Sequence, residues 1–525
     1  MKSADQKRVV VEVVERVLHD QTRDTSKVES LIFDTLYEER RRLETEKDRK
    51  KAKEEARFYR RLQEKALRGG HEQQREVLAE LIRHFAQEVL GHFNEAIYRV
   101  ATRIVPVGLN LLLNTLSPLK LMRNFPGGFG KLDDQILIEG HDVDFQNLSK
   151  QGTTILVPTH ASNLDSLLIG YVLYRLGLPP FLYGAGLNLF HNKLIGFFMD
   201  HLGAYKVDRR KKAPLYIDVL KAYAGYSMEL GYHNLFFPGG TRSRSGEVES
   251  RLKLGLLGMG LNAYVHNLRN EKPKPDIFII PCTLNYQLVL EAETLIEDYL
   301  KEVGRSRYII EDDEFSQIRR IVDFLSGLFS LESRIHVVFS QPLDVFGNLV
   351  DSEGRSLDHR GRIVDRRKYV AVDGGYGFDS QRDFEYTQEL GQSILRSFHR
   401  DTVLGSVQVV SYVVWKWLKE TNPRLDRYRL LRTGGSQPSM PLMETYSRLQ
   451  KMLKWLGDLE KKNEIRLDRT LQAGDPVAVL GEALAHLKDY HVHPVLERKG
   501  DRLFHFDRQL IFYYQNRMNA VEGKR

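Results

Sequence analysis

The 525 residues include one cysteine, Cys282. No intrachain disulfide framework can therefore form, and the chain suits a reducing compartment. Long apolar runs are also missing. The most apolar stretches, IVPVGLNLLL at 104–113 and VLGSVQVVSYVVW at 403–415, fall short of the roughly 20 residues that a bilayer crossing needs. The first residues, MKSADQKRVVVEVVERVLHD, interrupt their apolar positions with Glu12 and Glu15, so they lack the core of a secretory signal and read as an amphipathic helix. No internal repeat or long low-complexity tract is visible, which excludes a repeat array. Without a crossing helix, attachment to a membrane is expected only at its surface, through apolar patches beside basic residues.

The chain is long enough for one large domain with additions. Its formal charge of +8 suggests anionic partners such as phosphates, nucleotides or acidic lipid surfaces. Residues 38–69, EERRRLETEKDRKKAKEEARFYRRLQEKALRG, combine both signs with strong helix formers and read as a solvated helical arm laced with i,i+4 pairs. From about 75 to 125, apolar residues recur at helical spacing (Leu78, Leu81, Ile82, Phe85, Val89, Leu90, Phe93).

Between 136 and 340 short β-rich runs alternate with helical stretches. Strands are expected at 153–157, 180–184, 204–207, 234–237, 277–283 and 335–339, with helices over 164–176, 189–201, 213–230 and 252–267. This alternation predicts an α/β fold with a mostly parallel sheet flanked by helices, whose ligands sit beyond the carboxyl ends of the strands. After 345 a Gly/Asp-rich connection leads into a mainly helical C-terminal region. The expected organisation is a charged helical N-terminal arm (1–74), a helical subdomain (75–130), the α/β domain (131–345) and the C-terminal region (346–525).

Chemistry concentrates at PTHASNLDSLL, residues 158–168. His160 closes a strand, and Asp165, in the first turn of the next helix, can fold back to fix the imidazole tautomer and stabilise the imidazolium. Asn163 is the expected N-cap. Spacing alone carries little weight, because His19 and Asp24 share it in a plain helical stretch. The competing reading is a capping aspartate beside a structural histidine. Context separates the two pairs. FFPGGTRSRSGE (236–247) follows another strand with two glycines, which let a ligand approach the backbone, and with Arg242 and Arg244, which can grip phosphate bidentately. GAYKVDRRKK (203–212) follows a third strand and ends in a basic cluster. Ordinary solvated turns would explain either loop alone, but not both at one edge of one sheet together with the His/Asp pair.

These segments resemble the four sequence blocks of the glycerolipid acyltransferases, and the chain is similar to their glycerol-3-phosphate acyltransferase branch. THASNLD matches the first block, GAYKVDR the second, FPGGTRSRSG the third and IPCTLNY, around Pro281, the fourth. SFHRDTVLGSVQVVS (397–411) and DRQLIFYYQNRMN (507–519) are similar to C-terminal stretches of the large bacterial, mitochondrial and peroxisomal members. The resemblance spans roughly 130–520. Gly239 departs from the pattern, since the third block commonly has glutamate there.

The resemblance implies that His160 and Asp165 are catalytic. His160 would deprotonate the primary hydroxyl of glycerol 3-phosphate as it attacks the thioester of acyl-CoA or acyl-carrier protein, with no metal or other cofactor. Arg209, Arg242 and Arg244 would hold the acceptor's phosphate, aided by Lys206 and Lys253. Gly239, Gly240, Thr241, Ser243 and Pro281 complete the expected substrate-binding set, with backbone N–H groups near Gly239, Gly240 or Pro281 as oxyanion donors. A covalent acyl-enzyme at Cys282 is the disfavoured route, because that residue reads as a small core side chain. The resemblance further implies attachment at the cytoplasmic face of a membrane, a bacterial inner membrane. Alternatives are dihydroxyacetone phosphate or a lysophospholipid as acceptor, or a lipid-binding relative made inactive by Gly239. A nucleic-acid partner is not expected: the basic residues, including RGRIVDRRK at 360–368, form no single stripe.

Overall fold

The computed structural model describes residues 1, 3–46, 48–94, 97–98, 135–187, 201, 203–303, 334–489, 491 and 494–524. The stretch at 104–113 and nearly all of the helix expected over 189–201 lie outside them. Seven strands form the central sheet: β1 (Ile136–Gly140), β2 (Thr153–Pro158), β3 (Leu182–Gly186), β4 (Ala204–Val207), β5 (Asn234–Leu235), β6 (Ile277–Asn285) and β7 (Ile335–Phe339). Their order is β1-β7-β6-β2-β5-β3-β4. The five from β6 to β4 run parallel, whereas β7 is antiparallel to β6 and carries β1 parallel to itself. The mostly parallel sheet is thus the one the alternation predicts.

Ile155, Leu156 and Val157 in β2, like Phe278, Ile279 and Ile280 in β6, are wholly buried, as expected of strands covered on both faces. The expected strand at 234–237 is cut to two residues. Phe236 still donates to Leu156 O at 3.2 Å, but Pro238 has no N–H and the chain turns, with Gly240 N–H on Phe237 O at 3.0 Å. Helices α1 (Ser3–Thr22), α2 (Val28–Glu44), α3 (Arg49–Arg68) and α4 (His71–Val89) precede the sheet. Within the sheet region lie α5 (Asp142–Gln151), α6 (Asp165–Arg175), α7 (Pro214–Glu229), α8 (Gly255–Arg269) and α9 (Ala292–Val303).

The charged segment at 38–69 differs from the solvated arm that its composition suggests. It is parts of two helices whose inward face carries Leu43, Tyr59, Leu62 and Ala66, all buried. Glu39, fully buried, accepts from Arg42 Nε at 3.0 Å, Tyr59 Oη at 2.9 Å and Lys211 Nζ at 2.9 Å. High charge density hides a sparse apolar seam, and the paired charges meet their partners in the interior. Arg16 of α1 likewise pairs with Glu229 of α7, at 2.9 Å from Nη2, which ties the N-terminal helices to the α/β domain.

The apolar run at 403–415 becomes a two-residue strand, Val403–Leu404, and most of the helix Ser406–Thr421, whose Val407, Val409, Val410, Trp417 and Leu418 are buried. The connection expected to be loose contains a three-stranded sheet, Leu349–Val350, Ser356–Leu357 and Ile363–Val364. Its turns need the positive φ of Gly354 (79°) and Gly361 (75°). No helix among the described residues is long and apolar enough to cross a membrane.

His233 links the sheet to pH. Its Nδ1 accepts Thr154 N–H at 3.0 Å, and its ring stacks on Phe181. Burial lowers its pKa to about 4. The unfolded chain, titrating near 6.5, then binds this proton first. Stability from His233 is complete above about pH 6.5 and is expected to fall as pH drops toward 4, by on the order of 3 kcal/mol. Urea unfolding at pH 7, 5.5 and 4.5 checks this, with His233→Gln flattening the dependence.

Candidate active site

Four parallel strands end at one edge of the sheet, and each passes directly into one of the sequence blocks. His160 follows β2, Asp208 and Arg209 follow β4, Phe237 to Arg244 follow β5, and Tyr286 follows β6. Register sets them level: Pro158 pairs with Cys282, and Leu156 pairs with Leu235. This edge is where an open α/β sheet offers its crevice.

His160 Nδ1 lies 2.8 Å from Asp165 Oδ2, with the histidine side chain 12% exposed and the aspartate fully buried. The same oxygen accepts Ala161 N–H at 2.7 Å and Ser162 N–H at 2.9 Å. Asp165 Oδ1 accepts the Tyr286 hydroxyl at 2.6 Å. Four donors therefore hold the carboxylate, and it in turn holds Nδ1–H, so that Nε2 presents its lone pair. The Phe237 ring stacks on the imidazole, centroids 4.0 Å apart and 20° from parallel. Burial lowers the pKa of His160; Asp165 opposes the shift, and the positive charges of Arg242 and Arg209 add to it. The imidazole is consequently neutral near neutral pH, as a general base must be.

Asn163 is not the helix cap. Leu164 occupies that position with helical dihedrals, and Asn163 N–H donates to Glu291 Oε1 at 3.0 Å. Asp165, the first helical residue, instead turns its carboxylate back onto the N–H groups of Ala161 and Ser162 in the preceding loop. Glu291, fully buried, also accepts Ser162 Oγ at 2.7 Å and lies 3.4 Å from Arg242 Nη1. This glutamate therefore connects the loop after β2 to Arg242.

The third block is fastened to the first through the backbone. Ser243 N–H donates to His160 O at 2.8 Å, and Ser243 Oγ donates to Glu247 O at 2.7 Å. Gly240 has a φ of 77°, and the space above it is filled by Lys253, whose Cδ lies 2.6 Å from the position of an added Cβ. Thr241 is partly exposed on the same loop. Arg244 ion-pairs with Glu302 at 2.6 Å. Arg209, exposed after β4, has no carboxylate partner among the described residues. Partial desolvation lowers the pKa of Arg209, and the positive charges of Arg242 and Arg244 contribute.

The basic cluster after β4 divides. Arg209 is exposed, whereas Arg210 pairs with Asp208 and Glu46, and Lys211 with Glu39 and Glu88. Lys206 remains in β4, opposite Ala185. Pro281 is buried within β6 opposite Val157. It has no N–H, and the N–H of Gly240 is committed to Phe237, so neither serves as an oxyanion donor. Cys282 is fully buried, and burial pushes its thiol pKa far up, which removes it as a nucleophile.

Sequence reasoning did not single out Tyr286, Glu249, Glu291 or Arg517. Tyr286 closes the IPCTLNY block and Arg517 lies in the C-terminal stretch of family similarity, whereas Glu249 and Glu291 had no local signal. Arg517, within DRQLIFYYQNRMN, donates to Leu284 O at 3.2 Å and to Asn285 Oδ1 at 3.3 Å. It lines a small cavity with Ala161, Ser243 and Tyr286. Asn519 clamps Val248 in both directions at 2.9 Å, so the C-terminal segment forms one wall of the site.

Residues 141–285, which hold the histidine–aspartate pair and most of the central sheet, match the family model described as Acyltransferase. The chain is similar in sequence to curated glycerol-3-phosphate acyltransferases. It is 30% identical over 257 residues to the one from Aeromonas hydrophila subsp. hydrophila, covering 48% of this chain and 28% of that protein. It is 25% identical over 373 residues to the one from Pseudomonas entomophila, covering 70% and 41%. With the one from Actinobacillus succinogenes it shares 31% identity over 211 residues, covering 40% and 22%. The chain thus spans less than half the length of these curated relatives.

Proposed function

We propose that the chain moves a fatty acyl group from acyl-CoA or acyl-carrier protein to the sn-1 hydroxyl of glycerol 3-phosphate, the first step of phospholipid synthesis. One observation carries this reading: the buried His160–Asp165 pair is bonded through Ser243 to the loop that bears Arg242 and Arg244. The acceptor's hydroxyl gives its proton to His160 Nε2 while its oxygen bonds to the thioester carbonyl carbon. The tetrahedral intermediate expels the thiolate, which takes the proton back from the imidazolium. Asp165 stabilises that imidazolium and holds Nδ1–H throughout. The phosphate, held by guanidinium groups, fixes the distance between the hydroxyl and Nε2. Glu291 and Glu302 keep Arg242 and Arg244 in place. We further propose that the protein works at the cytoplasmic face of a membrane, which its acyl-bearing product would enter; co-sedimentation with anionic vesicles tests that placement.

Incubation with labelled acyl-CoA and, in parallel, glycerol 3-phosphate, dihydroxyacetone phosphate or a lysophospholipid tests the reading. Lysophosphatidate formed fastest from glycerol 3-phosphate supports it, and no transfer to any acceptor overturns it. Arg242→Ala is expected to raise the KM for glycerol 3-phosphate at least tenfold, with a smaller effect on acyl-CoA. The acid limb of kcat/KM should lie below pH 6.5. It should move upward in the Arg242→Ala variant, because removing a nearby cation makes the imidazole easier to protonate. An unmoved limb would separate Arg242 from the field at His160.

A further inference from the structure

Gly239 leaves a gap in the third block, and the structure shows what occupies it. A Cβ built on Gly239 would lie 3.1 Å from Glu249 Cγ and 3.5 Å from Glu249 Oε1. The second distance is close to the span of a glutamate side chain from its own Cβ to a carboxylate oxygen. Glu249 Oε1 therefore sits where a glutamate at position 239 could place its oxygen. From there it accepts the backbone N–H of His160 at 2.7 Å. Its other oxygen, Oε2, is buried with no hydrogen-bond partner. The backbone of Glu249 is itself fixed, its carbonyl oxygen lying 3.2 Å from His399 Nε2, while Asn519 holds the preceding residue.

We propose that Glu249 is a positioning residue that performs, from ten residues downstream, the task left vacant by Gly239: it locks the main chain at His160 and so fixes the direction of Nε2. The inference rests on the acyl-transfer reading for its kinetic consequence, but its structural content does not. Main-chain placement of His160 is set by two bonds that both come from the segment after β5, Ser243 N–H to its carbonyl oxygen and Glu249 to its N–H. Removing the second frees one end of the residue. A displacement of about 1 Å at a reacting group costs on the order of a hundredfold in rate. Burial raises the pKa of the Glu249 carboxyl, so a neutral side chain that accepts a hydrogen bond is an acceptable substitute, and a methyl group is not.

Relocation of the acid is the decisive test. Glu249→Ala should lower kcat about a hundredfold with KM for both substrates nearly unaltered, while Glu249→Gln should lose less than tenfold. Gly239→Glu combined with Glu249→Ala should recover at least tenfold over Glu249→Ala alone, because the new side chain reaches the same point once the old one is gone. Gly239→Glu by itself should impair the enzyme, since the two side chains collide. In protein labelled with 15N-histidine, the His160 amide proton, identified by its absence from His160→Ala, should move upfield in Glu249→Ala and return in the relocated variant. Wild-type kcat in Glu249→Ala, a relocated variant no better than Glu249→Ala, or an unmoved amide resonance overturns the proposal. Failure of the wild-type protein to transfer acyl groups would instead sink the acyl-transfer reading, and the amide resonance would still decide the role of Glu249. Should Glu249→Ala not fold, the comparison of Glu249→Gln with the relocated variant remains decisive.

Discussion

His160→Ala is expected to lower acyl transfer by roughly 10²–10⁴-fold and to leave the protein folded. The fold is spared because the imidazole contributes few contacts: Asp165 on Nδ1 and Phe237 on its face. The residue's structural bonds, to Glu249 and Ser243, belong to its main chain and survive truncation. Asp165 loses one donor of four and keeps the N–H groups of Ala161 and Ser162 and the hydroxyl of Tyr286. Saturating labelled acyl-CoA and glycerol 3-phosphate, with circular dichroism on the same samples, measures both halves. Asp165→Asn is the informative partner. An amide oxygen at the Oδ2 position keeps the two backbone donors, while the charge that supports the imidazolium is lost, so its defect should approach that of His160→Ala. The double variant should be no worse than His160→Ala alone, since the two residues act as a unit. Asp165→Ala would not discriminate, because it strands two buried N–H groups and a buried hydroxyl and threatens the fold itself. Robust product from folded His160→Ala would refute the assignment of the base.

Much of this site was legible in the sequence because each block follows a strand directly. Once I155-L156-V157 reads as a buried strand, His160 must emerge at its carboxyl end, and the same holds for Arg209 after β4 and Arg242 after β5. Sheet order, by contrast, is not encoded in the position of any one strand. The antiparallel placement of β7 beside β6 depends on side chains spread over the whole domain. Glu249 and Glu291 escaped detection for another reason. An acidic residue in a polar loop looks solvated, and only the fold brings Glu249 to the N–H of His160 or Glu291 to Ser162, 129 positions earlier. Asn163 was misread because Asn is a favoured cap, whereas the fold turns its N–H toward Glu291 and the helix starts after Leu164 with no side-chain cap. The charged helices were misread because charge density dominates their composition, whereas burial of Glu39 needs cations supplied from elsewhere, one of them Lys211 beside the site.

That last contact leads to the largest expected change in stability. Glu39→Leu should destabilise the protein by about 3–5 kcal/mol, since removing one member of a buried ionic cluster leaves the others uncompensated. Arg42 and Lys211 are both buried, their side chains 2% and 3% exposed. Arg42 keeps Glu55, and Lys211 keeps Glu88 at 2.8 Å, but those acids cannot fill the space between the two cations. The hydroxyl of Tyr59 also loses its acceptor. Replacing the whole cluster by Glu39→Leu, Arg42→Met and Lys211→Met should recover part of the loss, as apolar side chains of similar volume need no partners. The urea midpoint reports both changes. Function should move with stability, because Lys211 lies two residues beyond Arg209. Cutting the anchor between Glu39 and Lys211 lets that loop shift, and the KM for glycerol 3-phosphate should rise in Glu39→Leu even at temperatures where the variant is fully folded. A fall in the midpoint with an unchanged acceptor KM would show that the N-terminal helices support the domain without positioning Arg209.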